Sequence, residues 1–229
     1  MNILVVNDDG INSRGLRELV ETLTCKGYVY FAAPDGERSG FSRSITLGRK
    51  IHVKPREYRG ANGAYAVDGT PVDCAKVGIQ FFGEAGIEFD IVYSGINLGS
   101  NLGRDTNYSG TVGAAIEAAL SGIPAVALSV DSHNPEYYGA ARRIASFCAY
   151  LPCKNAINSN ASAGCLHFVE IATGLPHDTS TGGLPAPYAG NGTKPKSSAK
   201  RLSLIIDLKF AIVHTAAWHV ATEPLQNIA

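Results

Sequence analysis

The chain alternates short, wholly apolar runs with longer stretches in which apolar residues recur every three or four positions. Ile3 to Val6 is one such run with no polar face, the pattern of a central parallel strand covered on both sides. Leu16, Leu19, Val20 and Leu23 follow at helical spacing, and Gly27 is the expected stop. Val29 to Ala33 predicts a second strand, broken by Pro34-Asp35-Gly36. Residues 44–68 alternate polar and apolar, as in Ile51-His52-Val53-Lys54, and predict antiparallel strands beside the main sheet. Thr70-Pro71-Val72-Asp73 predicts a helix start: Thr70 caps, Pro71 fits the first helical position, and Asp73 reaches back as a capping box.

Asp90 to Tyr93 predicts another strand, running into the glycine-rich stretch Ser94 to Gly103. An alanine-rich helix is expected over Thr111 to Leu120, closed by Gly122 and Pro124. A strand over Ala125 to Val130 and a helix over Tyr138 to Tyr150 complete an α/β pattern. After Leu151 the character changes. Residues 153–200 are rich in Ser, Thr, Asn, Gly and Pro and read as a long loop. Leu202, Leu204, Ile206, Leu208 and Phe210 then share one face at period two, predicting a long strand over 202–210. The division expected is a domain over 1–150 and a C-terminal segment over 151–229, part loop and part strand.

Composition narrows the classes. At 229 residues and 45% hydrophobic content there is material for a sizeable core. The formal net charge is zero, so no global field favours nucleic acid or an anionic membrane, and neither is an expected partner. Five cysteines without a C-x-x-C pair point to reduced thiols and a cytoplasmic setting. No basic segment precedes a long apolar run at the start, so no signal peptide is expected.

The chemistry is concentrated at strand ends. Asn7-Asp8-Asp9-Gly10 follows the first strand directly. Two adjacent carboxylates there repel each other and lose hydration, and a hard divalent cation relieves both problems. An Asp-Gly turn with one aspartate capping the next helix would use the same residues without a ligand. Glu37-Arg38-Ser39-Gly40-Phe41-Ser42-Arg43-Ser44 offers hydroxyls and arginines to an oxyanion. Asn97, in Ser94-Gly95-Ile96-Asn97, offers a neutral oxygen to a metal shell. Tyr108-Ser109-Gly110-Thr111 feeds into a helix whose free N–H groups suit phosphate, although plain capping by Ser109 or Thr111 needs none. Neither the dinucleotide fingerprint nor the P-loop is present, which disfavours a dinucleotide-dependent oxidoreductase. His214 and His219, five apart in an apolar segment, read as structural, and Cys74 as a core thiol.

Together these segments resemble the SurE family of survival phosphatases. The matching residues are Ile3 to Gly10, Ala33-Pro34-Asp35 with Arg38-Ser39-Gly40, and Asp68 to Cys74. They continue through Ser94 to Asn97, Asn101-Leu102-Gly103, Tyr108 to Ala115 and Gly122-Ile123-Pro124. The resemblance runs in order over roughly the first 150 residues, and the C-terminal segment departs from it. It implies a Rossmann-like three-layer α/β/α fold with a mostly parallel sheet. It also implies a phosphomonoesterase acting on nucleoside 5′- and 3′-monophosphates, with one divalent ion, Mg²⁺ or Mn²⁺, per subunit. Carried over, the metal ligands are Asp8, Asp9, Ser39 and Asn97, with Asp8, Asp9 and Asn97 catalytic. Candidate phosphate and substrate contacts are Asn7, Ser39, Gly40, Ser42, Ser44, Ser109, Gly110 and Thr111. The family further implies a homodimer or homotetramer. The rival expectations are a nucleotide-binding protein impaired in catalysis, and a phosphatase using Asp8 as a nucleophile.

Overall fold

The computed structural model describes residues 1–131, 138–149, 166–172 and 211–216. Strand β1 (Asn2–Val6) is its centre, because Ile3, Leu4, Val5 and Val6 are all fully buried. Alternation along the strand sends successive side chains to opposite faces. Ile3 and Val5 pack with helices α1 (Arg14–Leu23) and α4 (Tyr138–Cys148), while Leu4 and Val6 pack with α2 (Pro71–Glu84) and α3 (Gly110–Leu120). A strand without a polar face thus marks the middle layer of three.

The remaining strands are β2 (Tyr28–Pro34), β3 (Val53–Pro55), β4 (Gly63–Val67), β5 (Ile91–Leu98), β6 (Ala125–Asp131), β7 (Leu166–Ala172) and β8 (Ala211–Ala216). Among the described residues they form, with β1, one eight-stranded sheet in the order β3-β4-β2-β1-β5-β6-β7-β8. Every pairing is parallel except β3 with β4 and β7 with β8, the two edges. The expected Rossmann-like, mostly parallel α/β/α architecture is therefore present.

Local signals explain most boundaries. Ser13 caps α1 by accepting from the Leu16 N–H. Thr70 and Asp73 form the expected capping box of α2, with Pro71 in its first turn. Four expectations need correction. Helix α1 ends at Leu23 with Thr24 as its cap, not at Gly27. Gly27 instead lies under the start of β1, where a Cβ would stand 2.0 Å from the Met1 carbonyl oxygen. Of the strands expected beside the sheet in 44–68, only β3 is antiparallel; β4 pairs parallel with β2 over five residues and belongs to the main sheet. Pro55, the last residue of β3, stands at an outward-facing position of this edge strand where the ladder needs no N–H.

The third correction concerns β5, which continues to Leu98 through the glycine-rich stretch, with its register shifting between Ser94 and Asn97. The fourth is that residues 153–200 are not all loop. Leu166 to Ala172 pairs in parallel with β6 at every position from Ala125 to Asp131, because the seven-residue open edge there accepts another strand. The strand expected over 202–210 lies outside the described residues; β8 begins at Ala211 and pairs antiparallel with β7.

The β5 irregularity is seated on α1. Gly15, in the first turn of α1, lies so close to the Ile96 carbonyl that a Cβ there would sit 2.0 Å from its oxygen. Gly15→Ala is expected to push α1 off β5 and to destabilise the protein by about 3 kcal/mol, the upper range for overpacking. A urea midpoint unchanged from wild type would contradict this packing.

Candidate functional site

β1 lies between β2 and β5, and α1, which follows β1, packs on one face of the sheet while α3, which follows β5, packs on the other. Such a reversal opens a crevice above the strand ends, where ligands of doubly wound sheets collect. Asn7-Asp8-Asp9 leaves β1 into this crevice. Asn97 reaches the same edge from β5, beyond the register shift that turns the strand.

The polar groups here are tied to helices of both outer layers. Asn7 is almost fully buried, and its amide donates to the Gly10 carbonyl at 3.0 Å and to Ser13 Oγ at 2.8 Å. The turn after β1 is thereby fixed to the N-cap of α1. Gly10 permits that turn with φ near +92° and lies against the backbone of Gly36. Asp8 is buried and accepts at Oδ1 from the Thr111 hydroxyl at 2.5 Å. Gly110 makes this approach possible, since a Cβ there would stand 2.9 Å from Asp8 Cβ. Asp9 is held from the other side by the backbone of Leu98 in β5.

A third wall is the loop 35–46. The Arg38 N–H donates to the Asp8 carbonyl at 2.7 Å, and the Ser42 N–H donates to the Tyr108 carbonyl at 3.0 Å. The Ser42 carbonyl rests on Gly113 of α3, where a Cβ would lie 2.6 Å from its oxygen. Farther on, the Thr70 hydroxyl donates to the Ser44 carbonyl, and the Thr46 N–H donates to the Asp73 carboxylate. The capping residues of α2 thus also anchor this loop.

The electrostatics are those of an uncompensated acidic pair. Among the described residues no ion pair reaches Asp8 or Asp9; nearby Arg38 is engaged with Asp35 at 2.9 Å. Burial, with Glu37 adding repulsion, pushes the Asp8 carboxyl up against the opposing Thr111 bond. Burial, then Asp8 and Glu37, raise Asp9 to about 7. A hard cation fits this donor set, because it would cancel the repulsion and replace lost hydration. No three His, Cys, Asp or Glu side chains converge as a cage among the described residues. A cation would therefore rest on two carboxylates completed by neutral oxygens. Asn97 has one to offer, since only its Nδ2 is committed, to the Gly99 carbonyl at 2.9 Å.

The anticipated residues meet this crevice unequally. Asn7, Asp8, Asp9, Ser109, Gly110 and Thr111 form its floor, with Asn97 at the β5 edge. Ser39 follows the Arg38 anchor, and its hydroxyl donates to Glu37 at 2.8 Å. Gly40, with φ near +73°, and Ser42, with φ near +55°, turn the loop. The Ser44 hydroxyl is spent on the Phe41 carbonyl at 2.6 Å. At α3, Ser109 caps by accepting from the Val112 N–H, and the Thr111 backbone bonds Asp8. Of the first-turn donors, Gly110 alone keeps an N–H with no acceptor shown among the described residues. Sequence reasoning passed over Glu37 as a source of charge, and over Gly113 and Gly15 as contact points. A glycine three residues into a helix beside a hydroxyl-rich start was the available signal for Gly113.

A doubly wound sheet with an acidic pair at its central switch point defines an α/β protein built around an anionic crevice. Comparison with known proteins specifies the lineage. The pattern of the family described as Survival protein SurE matches residues 3–182. A 5′-nucleotidase SurE of Pelotomaculum thermopropionicum is 42% identical over 170 residues, covering 72% of this chain and 65% of that protein. A 5′-nucleotidase SurE of Legionella pneumophila is 47% identical over 145 residues, covering 63% and 55%. The crystal structure of the SurE protein from Aquifex aeolicus superposes with a TM-score of 0.63 at 33% identity, covering 75% of this chain and 66% of that one. The chain belongs to the SurE family. It spans 55% to 65% of the length of these two curated relatives, and the family match takes in β7.

The acidic pair gives a sign for pH dependence. Asp9 titrates at about 7 when folded, against 3.8 as its ordinary value. Between those values the folded chain binds more protons than the unfolded chain, so this contribution to stability is complete at low pH and is lost as pH rises to about 7. His167, whose pKa burial lowers, acts with the opposite sign. The difference between wild type and Asp9→Asn isolates the aspartate. In chelator-treated protein, the stability of wild type relative to Asp9→Asn is expected to fall between pH 4 and pH 7. A relative stability that rises across this window would contradict the arrangement.

Proposed function

We propose that this chain is a divalent-metal-dependent phosphomonoesterase acting on nucleoside monophosphates. The observation that carries the reading is the pair of buried Asp8 and half-buried Asp9, free of any cationic partner among the described residues. Membership of the family supports it, as do relatives whose names give 5′-nucleotidase activity.

In this reading Asp8, Asp9 and Asn97 hold one Mg²⁺ or Mn²⁺, with Ser39 as a further oxygen donor. When bound, such an ion neutralises charge on phosphoryl oxygens and makes water more acidic. The chain's own groups provide positioning. Thr111 fixes Asp8 through its Oδ1, and the Leu98 backbone fixes Asp9, so the two carboxylates cannot swing apart. The uncommitted Gly110 N–H and the positive end of α3 attract an anionic group to the crevice floor. The loop from Gly40 to Ser44, docked on Gly113 and Tyr108, closes one side and supplies the Ser42 hydroxyl. Asn7 maintains the turn through Gly10 and Ser13.

The same reading carries a homodimer or homotetramer, which light scattering would report. It also places the chain in a reducing cytoplasm, where the free thiols of Cys25, Cys74 and Cys148 persist. Among the described residues no helix is long and apolar enough to cross a membrane.

Phosphate release from 5′- and 3′-nucleoside monophosphates tests the proposal, with Mn²⁺ or Mg²⁺ set against EDTA. Release is expected only with metal. Asp8→Asn is expected to lower turnover on the order of 10³-fold, the scale of several kcal/mol of lost charge stabilisation. Nucleotide binding with no hydrolysis in folded, metal-supplemented protein would replace the enzyme by a binding protein. Wild-type turnover in Asp8→Asn would remove the aspartate from the chemistry.

A further inference from the structure

A second polar hollow lies at the β3 edge of the sheet, away from the Asp8–Asp9 pair. It encloses about 200 Å³ and is lined by Asp35, His52, Lys54, Arg56, Ala66 and Asp68. Its construction follows from strand geometry. The Asp68 N–H donates to the His52 carbonyl, Lys54 pairs with Ala66, and the Arg56 N–H donates to the Ala64 carbonyl. Positions 52, 54 and 56 therefore share one face of the strand. They present three nitrogen-bearing side chains in a row. Opposite Lys54 the small Ala66 leaves the space that a larger residue would fill.

The charges do not cancel within the hollow. Asp35 is neutralised by Arg38 at 2.9 Å. Asp68 is gripped in bidentate fashion by Arg49 at 2.8 and 3.0 Å, with His52 3.4 Å away. Both acids are thus committed to cations, whereas the Lys54 and Arg56 side chains have no ion-pair or hydrogen-bond partner among the described residues. The chain as a whole is neutral, yet residues 38–59 hold seven lysines and arginines against one acid, Glu57. The hollow opens in the middle of this segment. Lys54 and Arg56 beside His52 match a doubly charged oxyanion, and the arginine fork adds geometric preference for phosphate. The volume is below the ~300 Å³ at which pockets begin to enclose whole organic ligands. A phosphate fits inside, and a nucleotide would enter only by its phosphate.

We propose that this hollow is a phosphate-binding site, separate from the Asp8–Asp9 crevice, in which Lys54, Arg56 and His52 hold the anion. The site is wired to the crevice by one short segment. Asp35 lines the hollow, and three residues later the Arg38 N–H holds the Asp8 carbonyl while its guanidinium holds Asp35. Inorganic phosphate, which a phosphomonoesterase releases, and the phosphate of a nucleotide share the chemistry the hollow recognises.

The test uses the full chain freed of metal with EDTA, so that binding is read without turnover. Inorganic phosphate and AMP are titrated separately by calorimetry against wild type and three variants. Lys54→Gln/Arg56→Gln is expected to weaken phosphate binding about tenfold or more, the value of one to two charged hydrogen bonds. Asp8→Asn is expected to leave it intact. Lys50→Gln/Arg59→Gln removes two cations of the same segment that do not line the hollow, and is expected to change little. All four basic positions are exposed, so folding is not at stake. Parallel weakening of AMP in the Lys54/Arg56 variant assigns the hollow to any phosphomonoester, and weakening of phosphate alone assigns it to the free ion. The proposal falls if wild type shows no saturable phosphate binding, or if Lys54→Gln/Arg56→Gln binds as wild type does. It also falls if Asp8→Asn abolishes binding, or if Lys50→Gln/Arg59→Gln weakens it equally. None of these results depends on whether the crevice hydrolyses nucleotides.

Discussion

The constraint on which the structure turns is the desolvation of two adjacent carboxylates, Asp8 buried and Asp9 half-buried, at the end of its central strand. Desolvation raises both, Glu37 adds repulsion to each, and Asp8 raises Asp9 further. Such a pair persists in a folded protein only if the surrounding elements hold it more firmly than repulsion disperses it. Three elements do so. Helix α3 brings Thr111 to Asp8, β5 brings its backbone to Asp9, and the loop after β2 grips the Asp8 carbonyl through Arg38. A β5 register shift and a loop crossing two helix starts are otherwise expensive features, and here both are turned to the same crevice.

That arrangement explains why the polar contacts cluster at helix beginnings. Ser13, Thr70 and Ser109 each satisfy the backbone of their own helix, and Ser13 and Thr70 also bond segments that shape the crevice, Asn7 and Ser44. Capping and site construction are one set of bonds. A helix start placed beside a strand end is forced by right-handed crossovers in a parallel sheet, so the fold delivers these caps to one place without further design.

Much of this was legible in the sequence because its physical signals are local. An unbroken apolar run identifies a doubly covered strand, and Thr70-Pro71-Val72-Asp73 carries its cap in four residues. The acidic pair announces a charge problem wherever the strand ends. The resemblance to a family over the first 150 residues supplied what local reading left open, namely which oxygens would join the pair. Less legible were features decided by distant partners. Strand β4 pairs parallel with β2 because of a neighbour more than thirty residues away, and alternation alone cannot tell a parallel partner from an antiparallel one. Leu166 to Ala172 was hidden within polar surroundings, its strand character supplied by the open edge of β6. The role of Glu37, whose charge reaches both aspartates, depends on how a loop folds back over β1.

The glycines at 15, 110 and 113 have a consequence for how such a protein changes over time. At each, the neighbouring element rests against bare backbone rather than against a side chain. The width of the crevice is therefore set by main-chain thickness, a dimension that ordinary substitution does not alter. The outward faces of α1 and α3 can drift through many residue types while the spacing of the acidic pair from its walls stays fixed. Divergence is then channelled to the surface and to the hollow beside β3, where side chains alone decide what is recognised.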